Sequence, residues 1–420
     1  MLKRLWRYCD KIFKLNESLQ KLENKGFTNK NNEPFITAIL FIAMFMRFKS
    51  FNMLEKHMSR NRHIWKKLLN TDYLPSIDTI SRKTESSDIS GLRKTNRSFI
   101  YKLRRNKAFN INEASNGLVV AGIDGHETFC SEKRCCQSCK TRKKIVNGEE
   151  VIEYFHSYVV CQILLCSVPA IIDIEPIGPG EGELTAAKRL ILRICEEQPR
   201  LVDVFCFDAL YLDSQLINQL EKMNKYWVTV LKQKKREAYK EIDILLAKAK
   251  PIEFKTKKRN IKLYDFHELS GWDNLNNTFR AVVSDEKWYQ WKRISREKKE
   301  KKLVTCHWRW LTNMPSAYSA KIIHKFGHGR WDEENRGFND LANNINFDHP
   351  YRHNPVSLMA ILWIISITFN LSYSFYQRNL KYDFRRQFVQ NRSQLAMTVI
   401  ETFILINDTI FDAPISAGSP

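Results

Sequence analysis

Two aspartates each follow an apolar run. Residues 118–121 lead into Gly122-Ile123-Asp124-Gly125-His126-Glu127, and the strand read over 202–208 ends in Val204-Phe205-Cys206-Phe207-Asp208. A buried strand ending in an acid delivers one carboxylate to a sheet edge, where hard oxygen ligands can hold Mg2+ or Mn2+. A third acid is offered by Arg330-Trp331-Asp332-Glu333-Glu334-Asn335. At about 100° per residue, Trp331, Phe338, Ala342 and Ile345 define a buried helical face. Glu334 then stands about 60° from Trp331, against about 100° for Asp332 and about 160° for Glu333. Glu334 is therefore the acid at the edge of the core. Arg330, one turn earlier on the same side, can contact that carboxylate or a phosphate. Such carboxylates suit two-metal phosphoryl transfer, in which one ion activates the attacking oxygen and the other stabilises the leaving oxygen. Taken singly, Asp208 also reads as a turn residue and Glu334 as a solvated helix residue; it is the strand-end, strand-end, helix placement that favours a site.

A second ligand-rich stretch follows Asp124, with cysteines at 130, 135, 136 and 139. Cys136 and Cys139 have the two-residue spacing of a zinc knuckle, and His126 and His156 could complete a structural Zn2+ site that pins the loop after Asp124. A metal-free cysteine-rich loop is the alternative.

The elements that must position these groups follow from periodicity. Residues 1–110 carry helix-period apolar positions at 15–22, 36–48 and 51–69. Pro75, Ser76, Asp78 and Thr79 form a helix start, and the helix after it turns Arg82 and Lys83 outward. It could be the reading helix of a helix-turn-helix or any capped helix of a helical domain. From 118 the pattern changes to strands at 118–124, 154–166 and 170–177, a helix at 183–197, a strand at 202–208, a helix at 214–224 and a strand at 226–231. Three strands followed by alternating helices and strands define an α/β fold with a mixed sheet flanked by helices. That order is found in RNase H-like folds, in which the first and fourth strands lie side by side, so Asp124 and Asp208 should meet. The expected organisation is a helical, basic DNA-binding region at 1–112, a first part of the catalytic core at 113–231 and a basic, partly β insertion at 232–305. The second part of the core, with the Glu helix, follows at 306–385, and a C-terminal tail or helix at 386–420.

The chain has 420 residues, is 43% apolar and carries a net charge of +22, which excludes a disordered tail and leaves room for a sizeable core. The charge is blocked: +15 over 1–110, −5 over 111–231, +10 over 232–302 and +2 over 303–420. Basic flanks around an acidic middle suggest a polyanion held beside a site that needs carboxylates. Ten irregularly placed cysteines and a charged, amphipathic start fit a reduced, cytoplasmic setting. No membrane partner is expected. The apolar run 36–46 is too short to span a bilayer, and 356–375, which carries several serines and an asparagine, reads as a buried helix.

Six segments together resemble the DDE transposases of bacterial insertion sequences: GIDGHE (122–127), DIEPIGPGEGE (173–183), CFDALY (206–211), WVTVLKQKKREAY (227–239), GRWDEENRGFNDL (329–341) and DHPYRHNP (348–355). The resemblance runs from about 118 to 382. It implies an RNase H-like catalytic domain in which Asp124, Asp208 and Glu334 bind the catalytic Mg2+ or Mn2+. It also implies cleavage at the element's ends followed by strand transfer into target DNA. Terminal inverted repeats and target DNA would be the partners, with a homodimer in the synaptic complex. Arg330, Trp331 and Asn335 would contact DNA near the last acid, and Arg82 and Lys83 would do so from the amino-terminal region. A Tyr-x2-Arg-x3-Glu-x6-Lys signature found in a large branch of the family is met here at Arg330 and Glu334, whereas its outer positions hold Gly327 and Leu341. The rival readings are a sequence-specific DNA-binding protein with an inactive RNase H-like core and a metal-dependent nuclease.

Overall fold

The computed structural model describes residues 1–23, 36–109, 116–256, 258–294, 299–330, 347, 351–380, 389, 391–407 and 409–410. Seven helices come first: α1 (Leu2–Phe13), α2 (Leu15–Glu23), α3 (Ile36–Phe45), α4 (Phe51–Arg60), α5 (Arg62–Leu69), α6 (Ile77–Thr84) and α7 (Ile89–Arg105). α1 buries Leu2, Leu5, Trp6, Cys9 and Phe13, one stripe at three- and four-residue spacing, and stops at Lys14 in the left-handed conformation. α3 is apolar all round and almost wholly buried. The expected start at residue 76 is met, because the Ser76 Oγ accepts the Thr79 N–H at 3.2 Å.

The sheet begins with β1 (Val120–Ser131), β2 (Lys140–Val146), β3 (Glu149–Leu164) and β4 (Ile171–Ile177). After α8 (Glu183–Glu197) come β5 (Val204–Phe207), α9 (Ser214–Lys222) and β6 (Tyr226–Val230). β3 pairs antiparallel with both β1 and β4, and β5 lies parallel to both β1 and β6. The path β4-β3-β1-β5-β6 therefore sets the first and fourth of the sequence-predicted strands side by side. β2, which the sequence reading did not contain, pairs with the outer half of β3. It escapes notice because Lys-Thr-Arg-Lys-Lys-Ile-Val has neither face against a core, so no apolar alternation marks it.

Past α10 (Glu237–Leu246), the segment read as an insertion does not leave the sheet. β7 (Ile252–Lys255), β8 (Asn260–Leu269), β9 (Phe279–Arg293) and β10 (Lys299–Thr312) continue it, and β10 pairs with β6. The charged run 292–302 reaches into the strands on both sides, with Arg293 opposite Lys299. Ladder bonds that start in the core at the pair Arg280 and Thr312 carry the ribbon outward, where side chains on both faces can be polar.

Helices cover both faces. Ala121, Ile123, Phe205 and Phe207 pack in one cluster with α8 and α9. Val120, Val204, Cys206, Val228 and Trp310 pack in a second cluster with α11 (Ala320–Gly329). The long apolar helix expected at 356–375 is α12 (Pro355–Ser374), capped by the Asn354 side chain with Pro355 in its first turn. It is long and apolar enough to cross a membrane, but its apolar window is 83% buried inside the protein. α12 packs on α3, α6, α7 and β4. Asn370 in its last two turns accepts the Ile171 N–H at 2.8 Å and donates to Asn96 of α7 at 2.9 Å. The last described helix is α13 (Arg392–Glu401).

The DIEPIGPGEGE stretch turns out to be a fastening. Asp173 lies 3.2 Å from Arg93 of α7 and 2.8 Å from Arg193 of α8, while Glu175 meets Arg189 at 2.9 Å and Arg193 at 2.8 Å. Both acids are buried, and these contacts tie the amino-terminal helices and α8 to the same strand.

Candidate functional site

In the parallel pair of β1 and β5, Gly122 lies opposite Cys206. Two residues further along each chain come Asp124 and Asp208. Each keeps the parity of Val120, Val204 and Cys206, so both belong to the face covered by α11. Residues 84 positions apart are thus brought near each other where β5 ends, although β1 does not end at Asp124 as expected but runs on along β3 to Ser131. The Gly125 N–H donates to the Asp124 Oδ1 at 3.0 Å, and the Ala209 N–H donates to the Asp208 Oδ1 at 2.7 Å.

Each acid also meets a cation. Arg330, which follows α11, places Nη1 3.1 Å from the Asp124 Oδ2 and is itself buried. Lys232, just beyond β6, places Nζ 2.8 Å and 3.2 Å from the two oxygens of Asp208. Burial alone would raise the Asp208 pKa. Lys232, the Ala209 N–H and the charge of Arg330 outweigh it and hold the carboxyl below its usual range. Asp208, Lys232, Arg330, His328, Trp308 and Trp310 surround a cavity of about 180 Å³. The arrangement is two carboxylates, each paired with a cation, beside a partly aromatic hollow.

The residues around the acids have packing reasons of their own. A Cβ at Gly125 would stand 2.1 Å from the Glu183 Oε2, and the Glu183 Oε1 accepts the Tyr211 hydroxyl at 2.7 Å. The glycine of GIDGHE, the tyrosine of CFDALY and the last acid of DIEPIGPGEGE meet under the sheet, on the side away from Asp124.

Of the other sequence-derived site residues, Glu334, Trp331 and Asn335 lie outside the described residues. Arg82 is exposed on α6 with its Nε 3.4 Å from the Asp78 carbonyl, and Lys83 is half-buried.

Among the described residues, two side-chain clusters could hold a metal ion. The first gathers Cys136, Cys139 and His156 as expected, but its fourth member is His353 and not His126. His126 pairs across the ladder with Tyr158, whereas His156 pairs with Thr128. Two residues along a strand is about 6.6 Å, more than the 4.8 Å within which the four ligand atoms gather. The His126 ring packs on Phe347 instead, at 5.4 Å between centroids. Burial, with His353 nearby, pushes the His156 pKa down to about 4, so the imidazole is neutral at physiological pH.

The second cluster, Glu286 with His324 and His328, was not anticipated. The two histidines are four apart on α11, one face of one helix, and that spacing was its only sequence signal. Glu286 is fully buried on β9; its Oε1 contacts the His324 Nε2 at 3.0 Å and accepts the Ser284 hydroxyl at 3.1 Å. Its Oε1 also meets the His328 Nε2, and its Oε2 pairs with Arg259 at 2.6 Å. Burial would raise the Glu286 pKa, yet the imidazoles and Arg259 hold it far below the carboxylate range. A depressed folded-state value means that its stabilisation is complete above the unfolded value of about 4.3 and is lost as pH falls below it. Glu286→Gln should therefore cost about 2 kcal/mol at pH 7 and less at pH 4, read by urea unfolding at the two pH values.

A comparison with protein-family models and with curated proteins finds no match to this chain.

Proposed function

We propose that this chain is a DDE-type transposase with an RNase H-like catalytic core. The observation that carries the reading is the pairing of β1 with β5, which brings Asp124 and Asp208 to one face of neighbouring parallel strands. The path β4-β3-β1-β5-β6 supports the RNase H-like assignment, and the sequence segments named above support the family. The two carboxylates fit a hard divalent cation, being oxygen donors on one face and only partly buried. Asp124 and Asp208 would hold Mg2+ or Mn2+ with Glu334 as the third acid. The ion would supply Lewis-acid polarisation of phosphate oxygens and ease deprotonation of an attacking hydroxyl or water.

The chain's own groups do the rest. Arg330 and Lys232, now facing the acids, are long cations able to turn to the phosphate that enters between them. Trp308 and Trp310 wall off part of the cavity from water. A water oxygen attacks the phosphodiester at the element's end and the bond to the departing 3′ oxygen breaks; the freed 3′-hydroxyl then attacks a target phosphate and releases a target 3′-hydroxyl in turn. Exposed basic side chains on the amino-terminal helices, among them Lys56, Arg60, Arg62, Lys67, Arg82, Lys94 and Arg105, would hold the inverted repeats by their phosphates, with two copies joined in the synaptic complex.

The test uses DNA carrying the sequences that flank the gene, with Mg2+ or Mn2+. A transposase cuts at the repeat boundary and joins the freed end to a second duplex. Binding without metal-dependent cutting would replace this reading with a DNA-binding protein of inactive core. Cutting that ignores the repeats would replace it with a nuclease.

A further inference from the structure

We infer that Cys136, Cys139, His156 and His353 form a structural zinc site. Their ligand atoms come from three separate parts of the fold. Cys136 and Cys139 belong to the turn before β2, His156 to β3, and His353 to the segment 351–354 that leads into α12. The turn has the form of a metal knuckle: the Cys139 N–H donates to the Cys136 carbonyl at 3.1 Å, and the Cys136 N–H points at the Cys139 sulfur at 3.3 Å.

The distances decide the geometry. Ligands at about 2.3 Å for sulfur and about 2.05 Å for nitrogen, placed at tetrahedral corners, stand about 3.8 Å apart for two sulfurs, about 3.6 Å for sulfur and nitrogen, and about 3.3 Å for two nitrogens. Here the two sulfurs are 3.7 Å apart. The sulfur–nitrogen pairs measure 3.5 Å for Cys136 and His156, 3.4 Å for Cys139 and His156, and 3.2 Å for Cys139 and His353. The two Nε2 atoms are 3.2 Å apart. Five of the six tetrahedral edges thus lie close to the lengths that zinc would impose, and the sixth pair falls inside the same 4.8 Å cluster. The sulfurs are too far apart for a disulfide, whose bond is about 2.05 Å. Two cysteine sulfurs, which would lose their protons on binding, and two imidazole nitrogens around one point are a closed donor set for Zn2+, with no position left for substrate. Its role is mechanical. It fastens the β2–β3 arm, an extension of the strand pair that carries Asp124, to the entry of α12.

The experiment is metal analysis of the 420-residue chain purified without a histidine tag, with Co2+ as a spectroscopic probe. The wild type should hold about one zinc per chain, and Co2+ should replace it with the intense visible bands of a tetrahedral site carrying thiolates. Cys139→Ser and His353→Ala should each cut zinc occupancy at least about fivefold, and His126→Ala should leave it unchanged. Asp124→Asn should also keep its zinc, so the site stands or falls apart from the strand-cleavage reading. A variant that fails to fold is replaced by wild type stripped with chelator, which should lose melting temperature and regain it with Zn2+. Wild-type chain that holds neither zinc nor a tetrahedral Co2+ spectrum overturns the site. Zinc lost in His126→Ala and kept in His353→Ala overturns the fourth ligand.

Discussion

Asp124→Asn and Asp208→Asn should each reduce metal-dependent cleavage of element ends by at least about 10³-fold while leaving DNA affinity within about threefold. Asparagine keeps the shape of the side chain and removes the charge that a divalent ion needs, so the loss falls on the chemical step. Removing a negative charge beside incoming phosphate cannot weaken attraction for DNA. The two variants should differ in stability. Asp124 partners Arg330, which is buried, so its replacement should cost about 1–3 kcal/mol. Asp208 partners Lys232, whose side chain is 56% exposed, and its replacement should cost less than about 1 kcal/mol. Single-turnover cleavage, gel-shift affinity and urea unfolding of the same preparations separate these effects. A variant that still cuts at the wild-type rate removes its residue from the site.

Asp173→Asn should be the more damaging change to the fold, by about 3–5 kcal/mol, although Asp173 is neither of the aspartates proposed to hold a metal. Asp173 is buried between Arg93 and Arg193, and its amide replacement would leave two guanidinium groups sharing Glu175 as their remaining acid in the cluster. The cost arises from positive charge kept in a half-buried place with less to balance it. Equilibrium urea unfolding reads it directly, and a loss under about 1 kcal/mol would show that solvent relieves the arginines. Zinc content should not change, which distinguishes this loss from damage to the cysteine cluster.

The frame that carries Asp124 and Asp208 was legible because it is written in apolar runs. Strands buried on both faces, such as Val204–Phe207 and Ile171–Ile177, read as continuous hydrophobic segments, and α8 shows its stripe at helical spacing. β2 and the outer ribbon of β9 and β10 stand away from the core, so their sequences carry charge where alternation would have marked a strand. The cysteine–histidine cluster shows another limit. Cys136 and Cys139 announce themselves by spacing, but His353 is 197 residues from His156, and only the packing of α12 brings it in. His126 is near in sequence, but the strand register places it a step too far along. The DIEPIGPGEGE acids read as one motif with the rest, while the fold uses Asp173 and Glu175 as ion-pair anchors and Glu183 as a prop for Tyr211.

The amino-terminal helices are closed by the far end of the chain. Arg47 donates to the Ser393 hydroxyl at 2.7 Å, the Ile410 N–H donates to the Leu68 carbonyl at 3.0 Å, and the Phe403 ring meets His57 edge-on and Trp65 at a tilt. During synthesis, the first hundred residues therefore leave the ribosome long before the segment that covers them. At roughly 5–20 residues per second, the wait from residue 110 to residue 410 is roughly 15–60 s. For most of that interval the apolar side of α3 has no α12 to meet, and α5 lacks Phe403 and Ile410. A nascent chain with that much uncovered surface depends on chaperones, and slowing translation over the last third would be expected to send more of it into aggregates.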